Sequence, residues 1–233
     1  MGKEPQIEEV LLELKELGIK HNLFKETTLG EIKHSCVPKS DLLVIDYDQT
    51  AEQLFFEHLK SVLNKPKSCD ALRFNKTSYD FIEMKSLKDL FSNRFKENKE
   101  SFLDKDFTSK FTNSVFSFFA LLQVARFKLT NKKKELLQNA CGWYFVLVDT
   151  EFNYNNGECE NNEEFHAIMN FLSLGYKDNV HSNALPSNQE MSDFFEEFSA
   201  TLETQFDECI SFLPNIQTKL ITPTGLNTHY GLL

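Results

Sequence analysis

The sequence predicts an α/β domain built around a mixed central sheet, and three observations support this fold class. Apolar runs that suit buried strands occur at 41–46, 70–74, 79–84 and 143–148, with amphipathic segments between most of them. Only the turn-forming residues 75–78 (NKTS) separate the two middle runs, which predicts a hairpin. The chain has 233 residues, 41% of them hydrophobic, which is enough for one domain with a buried core.

The first half of the chain supplies the elements around this hairpin. Apolar residues at helical spacing predict a helix over 6–18, and Thr28 is a suitable cap for a short helix through Lys33. The buried strand at 41–46 leads into an amphipathic helix over about 50–63. After the hairpin, Ser86 begins a segment that is predicted to be helical to about Asn93.

The second half is richer in aromatic and acidic residues. The Phe-rich segment 108–127 predicts a long helix that is apolar nearly all round and therefore buried. The run WYFVLV at 143–148 is the strongest strand signal and indicates a central strand covered on both faces. The tail from Pro214, which contains Pro223 and Gly225, is predicted to be irregular. Further helices are predicted over about 130–138, 163–173 and 189–212.

These elements suggest three regions in one compact chain. Residues 1–40 form an N-terminal helical extension, 41–150 form the α/β core, and 151–233 form an acidic, mainly helical part packed on that core.

The formal net charge of −10 conceals an uneven distribution of charge. Residues 1–59 carry 6 basic and 12 acidic side chains, and residues 135–233 carry 2 basic and 15 acidic ones. Residues 60–134, which contain the hairpin, carry 17 basic and 8 acidic side chains. Because local charge decides whether phosphate approaches a site, the basic middle third is compatible with nucleic-acid binding.

Other features argue against membrane and zinc-dependent classes. No apolar segment of the signal-peptide type is visible, and the longest apolar run, 115–125, is too short to cross a bilayer. The cysteines are odd in number and lack metal-ligand spacing, which favours free thiols over disulfides or zinc. They are Cys36, Cys69, Cys141, Cys159 and Cys209. We therefore expect a cytoplasmic protein without membrane association.

The hairpin carries the best candidate site for chemistry. Asp70 opens its first strand, and the second strand ends in Glu83-Met84-Lys85. Residues two apart in a strand share a face, so the side chains of Glu83 and Lys85 are predicted to point the same way. Two carboxylates on neighbouring strands, with the backbone carbonyl of Met84, provide the hard oxygen ligands that Mg²⁺ prefers. Lys85 would then orient water or stabilise transition-state charge.

The segment 68–86, SCDALRFNKTSYDFIEMKS, resembles the core of the PD-(D/E)XK nuclease superfamily. The resemblance extends over roughly 50–150. It implies a restriction-endonuclease-like fold, which is a three-layer core with a mixed central sheet flanked by helices, here with helical additions. An acid two residues before a lysine occurs four times in the chain, but only the pair Glu83 and Lys85 ends an apolar strand.

The same resemblance implies roles for individual residues. Asp70 matches the motif aspartate, Glu83 the second acid and Lys85 the lysine. The preceding helix offers Glu52 and Glu57 for a further carboxylate, and Glu52 is preferred because it lies near the helix start. The implied activity is Mg²⁺-dependent phosphodiester hydrolysis, with Mn²⁺ as a substitute and DNA preferred over RNA. The implied enzyme is a metal-dependent endonuclease.

Two other functions remain open at this stage. The segment LVIDYDQT at 43–50 resembles motif I of haloacid-dehalogenase-type phosphatases, with Asp46 as nucleophile and Asp48 as general acid or base. Alternatively, the chain is a non-enzymatic immunity or inhibitor protein on a nuclease-like scaffold that binds a basic partner. The acidic C-terminal part is a candidate surface for such a partner or for a homodimer.

Overall fold

In the part of the chain that it describes, the computed structural model has a six-stranded mixed sheet flanked by helices, which confirms the predicted α/β class. The strands lie side by side in the order of the sequence. They are β1 (Glu26–Thr28), β2 (Leu43–Asp46), β3 (Ala71–Phe74), β4 (Tyr79–Lys85), β5 (Cys141–Val148) and β6 (Gln217–Ile221). Each neighbouring pair among the first four strands is antiparallel, whereas β4, β5 and β6 run parallel to one another. The structure describes residues 4–33, 35, 37, 39–56, 67–85, 107–148, 200 and 216–232.

Helices cover both faces of this sheet. They are α1 (Ile7–Lys20), α2 (Tyr47–Leu54), α3 (Ser109–Leu121), α4 (Asn131–Gln138) and α5 (Pro223–His229). One hydrophobic core contains residues of the helices α1, α2, α3 and α4. These helices pack against alternate residues of the strands, such as Leu72, Phe81 and Tyr144. The intervening strand residues, such as Ile82 and Phe145, form a second core with Leu226 of α5. The period-two alternation of the strands therefore assigns each side chain to one of two faces.

The strand with the strongest sequence signal lies inside the sheet, as predicted. β5 pairs with β4 on one side and with β6 on the other, and its residues from Tyr144 to Val148 are all buried. A parallel strand with neighbours on both sides and helices on both faces explains its nearly continuous apolar sequence.

Three local predictions are corrected. α2 begins at Tyr47 rather than at residue 49 or 50, because Asp46 accepts a hydrogen bond from the backbone of Gln49 and caps the helix. α3 is not buried all round, since Phe116 is 60% exposed. The tail is not irregular, because 217–221 form β6 and Pro223 begins α5. Proline is favoured at the first position of a helix, and here Thr222 caps it.

The N-terminal region contributes more to the sheet than its helical periodicity indicated. β1 pairs with β2, so residues of the predicted N-terminal extension form one strand of the central sheet. The predicted helices at 86–93, 163–173 and 189–212, the end of the helix at 50–63, and most of the acidic region 151–233 lie outside the described residues. Among the helices that the structure describes, none has both the length and the hydropathy needed for a membrane span.

Candidate metal centre

The β3–β4 hairpin places Asp70 and Glu83 opposite each other. Ala71 pairs with Ile82 in the antiparallel register, and one further step sets Asp70 against Glu83. Residues opposite each other in such a pair have side chains on the same face. Asp70 Oδ2 accepts a 2.6 Å hydrogen bond from the backbone N–H of Met84. This bond fixes the carboxylate of Asp70, the residue just before the start of β3.

Glu83 is a fully buried carboxylate that two lysines contact. Its side chain is 0% exposed, and its Oε1 lies 2.6 Å from Lys110 Nζ and 3.1 Å from Lys85 Nζ. The contact with Lys85 agrees with the prediction that these two residues share a face. Glu83 Oε2 is also buried, but no described residue donates a hydrogen bond to it. A buried acceptor without a donor costs free energy unless a cation or another donor reaches it.

The electrostatic state of the site follows from burial and from crowding of negative charge. Burial raises the pKa of Glu83 to about 7, and Asp70 adds to this rise, whereas Lys110 and Lys85 oppose it. Burial also raises the pKa of Asp70 against the opposing effect of Lys110. For Lys110, burial alone acts to lower the pKa, but attraction to Glu83 and Asp70 outweighs it and the pKa is raised. Lys110 therefore stays charged beside the two carboxylates.

Two helices hold the hairpin end in place. From α3, Ser114 Oγ accepts a 2.7 Å hydrogen bond from the backbone N–H of Cys69 and donates to the carbonyl of Lys110. From α2, the Tyr47 backbone N–H donates to the Asp70 carbonyl, and its hydroxyl donates to the carbonyl of Ser114 at 2.8 Å. These contacts fix Asp70 relative to the lysine that holds Glu83.

The acids of α2 differ in how closely they are connected to Asp70. Glu52 is exposed on α2, and Asp48 lies one helical turn before it on the same side. Asp48 Oδ1 accepts a 2.7 Å hydrogen bond from Ser68, and its charge contributes to the raised pKa of Asp70. Asp48 is thus the α2 acid that acts on Asp70, whereas Glu57 lies outside the described residues. Asp46 uses one carboxylate oxygen as the cap of α2.

Sequence reasoning missed Lys110 as part of the site. It is the only charged residue in the helix SKFTNSVFSFFAL, and it lies one turn before the buried Ser114. A lysine and a serine one turn apart, with serine on a stripe of phenylalanines, require polar partners inside the fold. That signal was present in the sequence, but it did not identify Glu83 as the partner.

The residues fit a hard cation only in part. Asp70, Glu83 and the Met84 carbonyl are oxygen ligands, and the unpartnered Glu83 Oε2 is suited to accept a cation. However, within the described residues no three His, Cys, Asp or Glu side chains group closely enough to hold a metal ion by themselves. A metal at this site would therefore depend on the backbone carbonyl, on water or on substrate for its remaining ligands.

Comparison with known proteins adds no family assignment. No protein-family model, no curated protein and no solved structure matches this chain.

Proposed function

We propose that the chain is a Mg²⁺-dependent nuclease with a restriction-endonuclease-like core that hydrolyses phosphodiester bonds, with DNA preferred over RNA. One observation carries the proposal. Two carboxylates face each other at the end of a hairpin, and the buried Oε2 of Glu83 has no donor among the described residues. The buried oxygen of Glu83 thus still lacks a partner beside a second carboxylate, and a hard cation that binds oxygen ligands would supply one.

Asp70 and Glu83 would hold the ion, with the backbone carbonyl of Met84 as a further ligand. When bound, Mg²⁺ or Mn²⁺ supplies a Lewis acid that activates water and neutralises the leaving oxygen. Lys85 orients the attacking water and stabilises charge on the phosphate, because its Nζ lies on the site face of β4. Lys110 positions Glu83 through the shorter ion pair.

Nucleic acid would approach through the basic middle third of the chain. Its described cations outside the site include Lys67, Lys76, Arg126 and Lys128. Contacts of this kind are made with backbone phosphates and release counterions, so binding should weaken steeply as salt concentration rises. Glu52 assisting from α2 stays a prediction, and Asp48 is the alternative acid that the structure offers.

Nuclease assays with site variants test the proposal. Plasmid, single-stranded DNA and RNA are incubated with the protein and Mg²⁺ or Mn²⁺, in parallel with Lys85→Ala, Glu83→Ala and the isosteric Glu83→Gln. We expect metal-dependent cleavage that each site substitution lowers about 100-fold or more. Lys33→Ala is the matched control, since Lys33 is an exposed lysine outside the basic middle third and should change cleavage little.

The assay also separates the other candidate functions. Cleavage that survives both Lys85→Ala and Glu83→Ala would remove this site assignment. Absence of cleavage together with tight binding to a basic protein would favour an immunity or inhibitor function. Hydrolysis of a phosphomonoester that is lost in Asp46→Asn would favour a phosphatase.

A further inference from the structure

A cavity of about 610 Å³ lies at the turn end of the β3–β4 hairpin, and residues of α1, of the hairpin and of the C-terminal end of α5 line it. Leu11 and Leu12 of α1 line one side, and Phe74 and Tyr230 contribute aromatic rings. Asp70 and Glu83 lie at the other end of the hairpin, so this cavity is separate from the candidate metal centre. Its volume falls within the range of small-molecule sites.

The charges around the cavity favour an anionic ligand. Lys15, Arg73 and Lys76 line it, whereas Glu8 is the only carboxylate among the described residues that line it. Lys15 also forms a 2.6 Å ion pair with Glu26, so part of its charge is already compensated. Arg73 and Lys76 are therefore the main source of positive charge toward the cavity.

Arg73 is held in a fixed orientation. Its Nη1 donates a 2.7 Å hydrogen bond to the carbonyl of Leu43, and its guanidinium carbon lies 4.3 Å from the centroid of the Tyr230 ring. Its Nε is buried and donates to no acceptor among the described residues. Because the Nε atom is buried, an oxyanion in the cavity would accept from the remaining N–H groups of Arg73, which lines the cavity, and the planar guanidinium matches the geometry of phosphate oxygens.

Asp80 fixes the ring that supports Arg73. The Tyr230 hydroxyl donates to Asp80 Oδ2 at 2.9 Å, and Asn75 Nδ2 donates to the same oxygen. Asp80 Oδ1 accepts from the backbone N–H of Trp143 at 3.0 Å. The position of the arginine is therefore determined before any ligand arrives, which lowers the entropic cost of binding.

We propose that this cavity binds a phosphate monoester that carries a planar ring. The phosphate accepts from Arg73 and lies near Lys76, and the ring packs against Phe74 and the leucines of α1. A bare phosphate would leave most of the volume unfilled and the apolar wall uncovered. A free nucleotide and the phosphorylated end of a nucleic-acid strand share this chemistry. The site does not depend on the proposed nuclease activity.

Calorimetry on the full chain tests the proposal with defined probes. Adenosine 5′-monophosphate should bind at least 10-fold more tightly than adenosine and than inorganic phosphate, and its affinity should fall as ionic strength rises. A 5′-phosphorylated octanucleotide, compared with its 5′-hydroxyl form, distinguishes the two sources. Tighter binding of the phosphorylated strand than of the nucleotide assigns a strand end, and the reverse order assigns a free nucleotide.

Variants locate the binding. Arg73→Gln should weaken nucleotide binding at least 10-fold, and Arg73→Lys should weaken it less. Lys76 is exposed in the turn, so Lys76→Gln should leave folding undisturbed and weaken nucleotide binding about 3-fold. Lys33→Gln makes the same charge change at an exposed lysine that does not line the cavity and should have no effect. Glu83→Gln should also have no effect, which keeps this result independent of the metal centre. Equal binding of adenosine and its monophosphate, or unchanged binding in both Arg73→Gln and Lys76→Gln, would overturn the proposal.

Discussion

Asp80 and Glu83 are both fully buried acids on β4, three residues apart, yet their surroundings differ in kind. Asp80 faces the core that contains α5 and accepts hydrogen bonds from Asn75, Tyr230 and the backbone of Trp143. Glu83 faces the opposite core, contacts two lysines and keeps one oxygen without a donor. Neutral donors that satisfy every oxygen indicate a structural carboxylate. A buried acid held by lysines, with one oxygen still without a donor, indicates a site that can take a further cation or donor.

The largest effect is expected at Asp80. Asp80→Ala removes the acceptor of three donors and should lower the free energy of unfolding by about 4 kcal/mol, since each buried unsatisfied group costs about 1–3 kcal/mol. Urea unfolding followed by circular dichroism measures the loss. Asp41→Ala removes an exposed aspartate and is the matched control, with stability close to that of the parent. A loss below about 1 kcal/mol for Asp80→Ala would contradict the structural role.

The second effect tests how much Lys110 stabilises the buried negative charge of Glu83. Lys110→Met removes the cation at 2.6 Å and should lower stability at pH 8 by about 3 kcal/mol, because the remaining buried carboxylate is left with Lys85 alone. The same substitution in a Glu83→Gln background should cost much less, and the difference is the coupling energy of the pair.

Lys132→Met provides a control for this cycle. Lys132 pairs with Glu4 at the same 2.6 Å, but both side chains are mostly exposed. An exposed pair is screened by solvent, so no measurable loss is expected. Equal losses for Lys110→Met in the two backgrounds would show that the ion pair contributes nothing.

The third effect is a pH dependence. The folded-state pKa of Glu83 is about 7, above the ordinary value of 4.5, so the folded chain holds this proton more tightly than the unfolded chain. Stability should therefore fall as pH rises from 4.5 to 7, by up to about 1.4 kcal/mol per pH unit. Glu83→Gln should flatten this slope in urea titrations between pH 5 and 8. If Glu83→Gln left the slope of stability against pH unchanged, Glu83 would not titrate between pH 5 and 8.

Local sequence signals were enough to predict the hairpin and the shared face of Glu83 and Lys85. Both follow from strand alternation and a short polar turn, which involve only neighbouring residues. The α/β class followed in the same way from apolar runs separated by amphipathic segments. The restriction-endonuclease-like fold and the metal site remain predictions.

The parts that sequence reasoning missed depend on distant partners or on position. The tail that contains Pro223 was predicted to be irregular, although Pro223 at the first position of α5 begins a helix. The ion pair of Lys110 with Glu83 and the hydrogen bond of Tyr230 with Asp80 join residues 27 and 150 positions apart. The residues next to Asp80 in the sequence YDFIEMK do not predict its hydrogen-bond donors, because tertiary contacts determine them.

The bond between Tyr230 and Asp80 has a consequence for the order of folding. Closing so long a loop is entropically costly, and contacts of high sequence separation slow the folding of small domains. Before α5 and Tyr230 have been synthesised, the hairpin can form, but Asp80 lacks one of its three hydrogen-bond donors. Tyr230 is also the ring beneath Arg73, so the cavity beside Arg73 is expected to form only at this late step of folding.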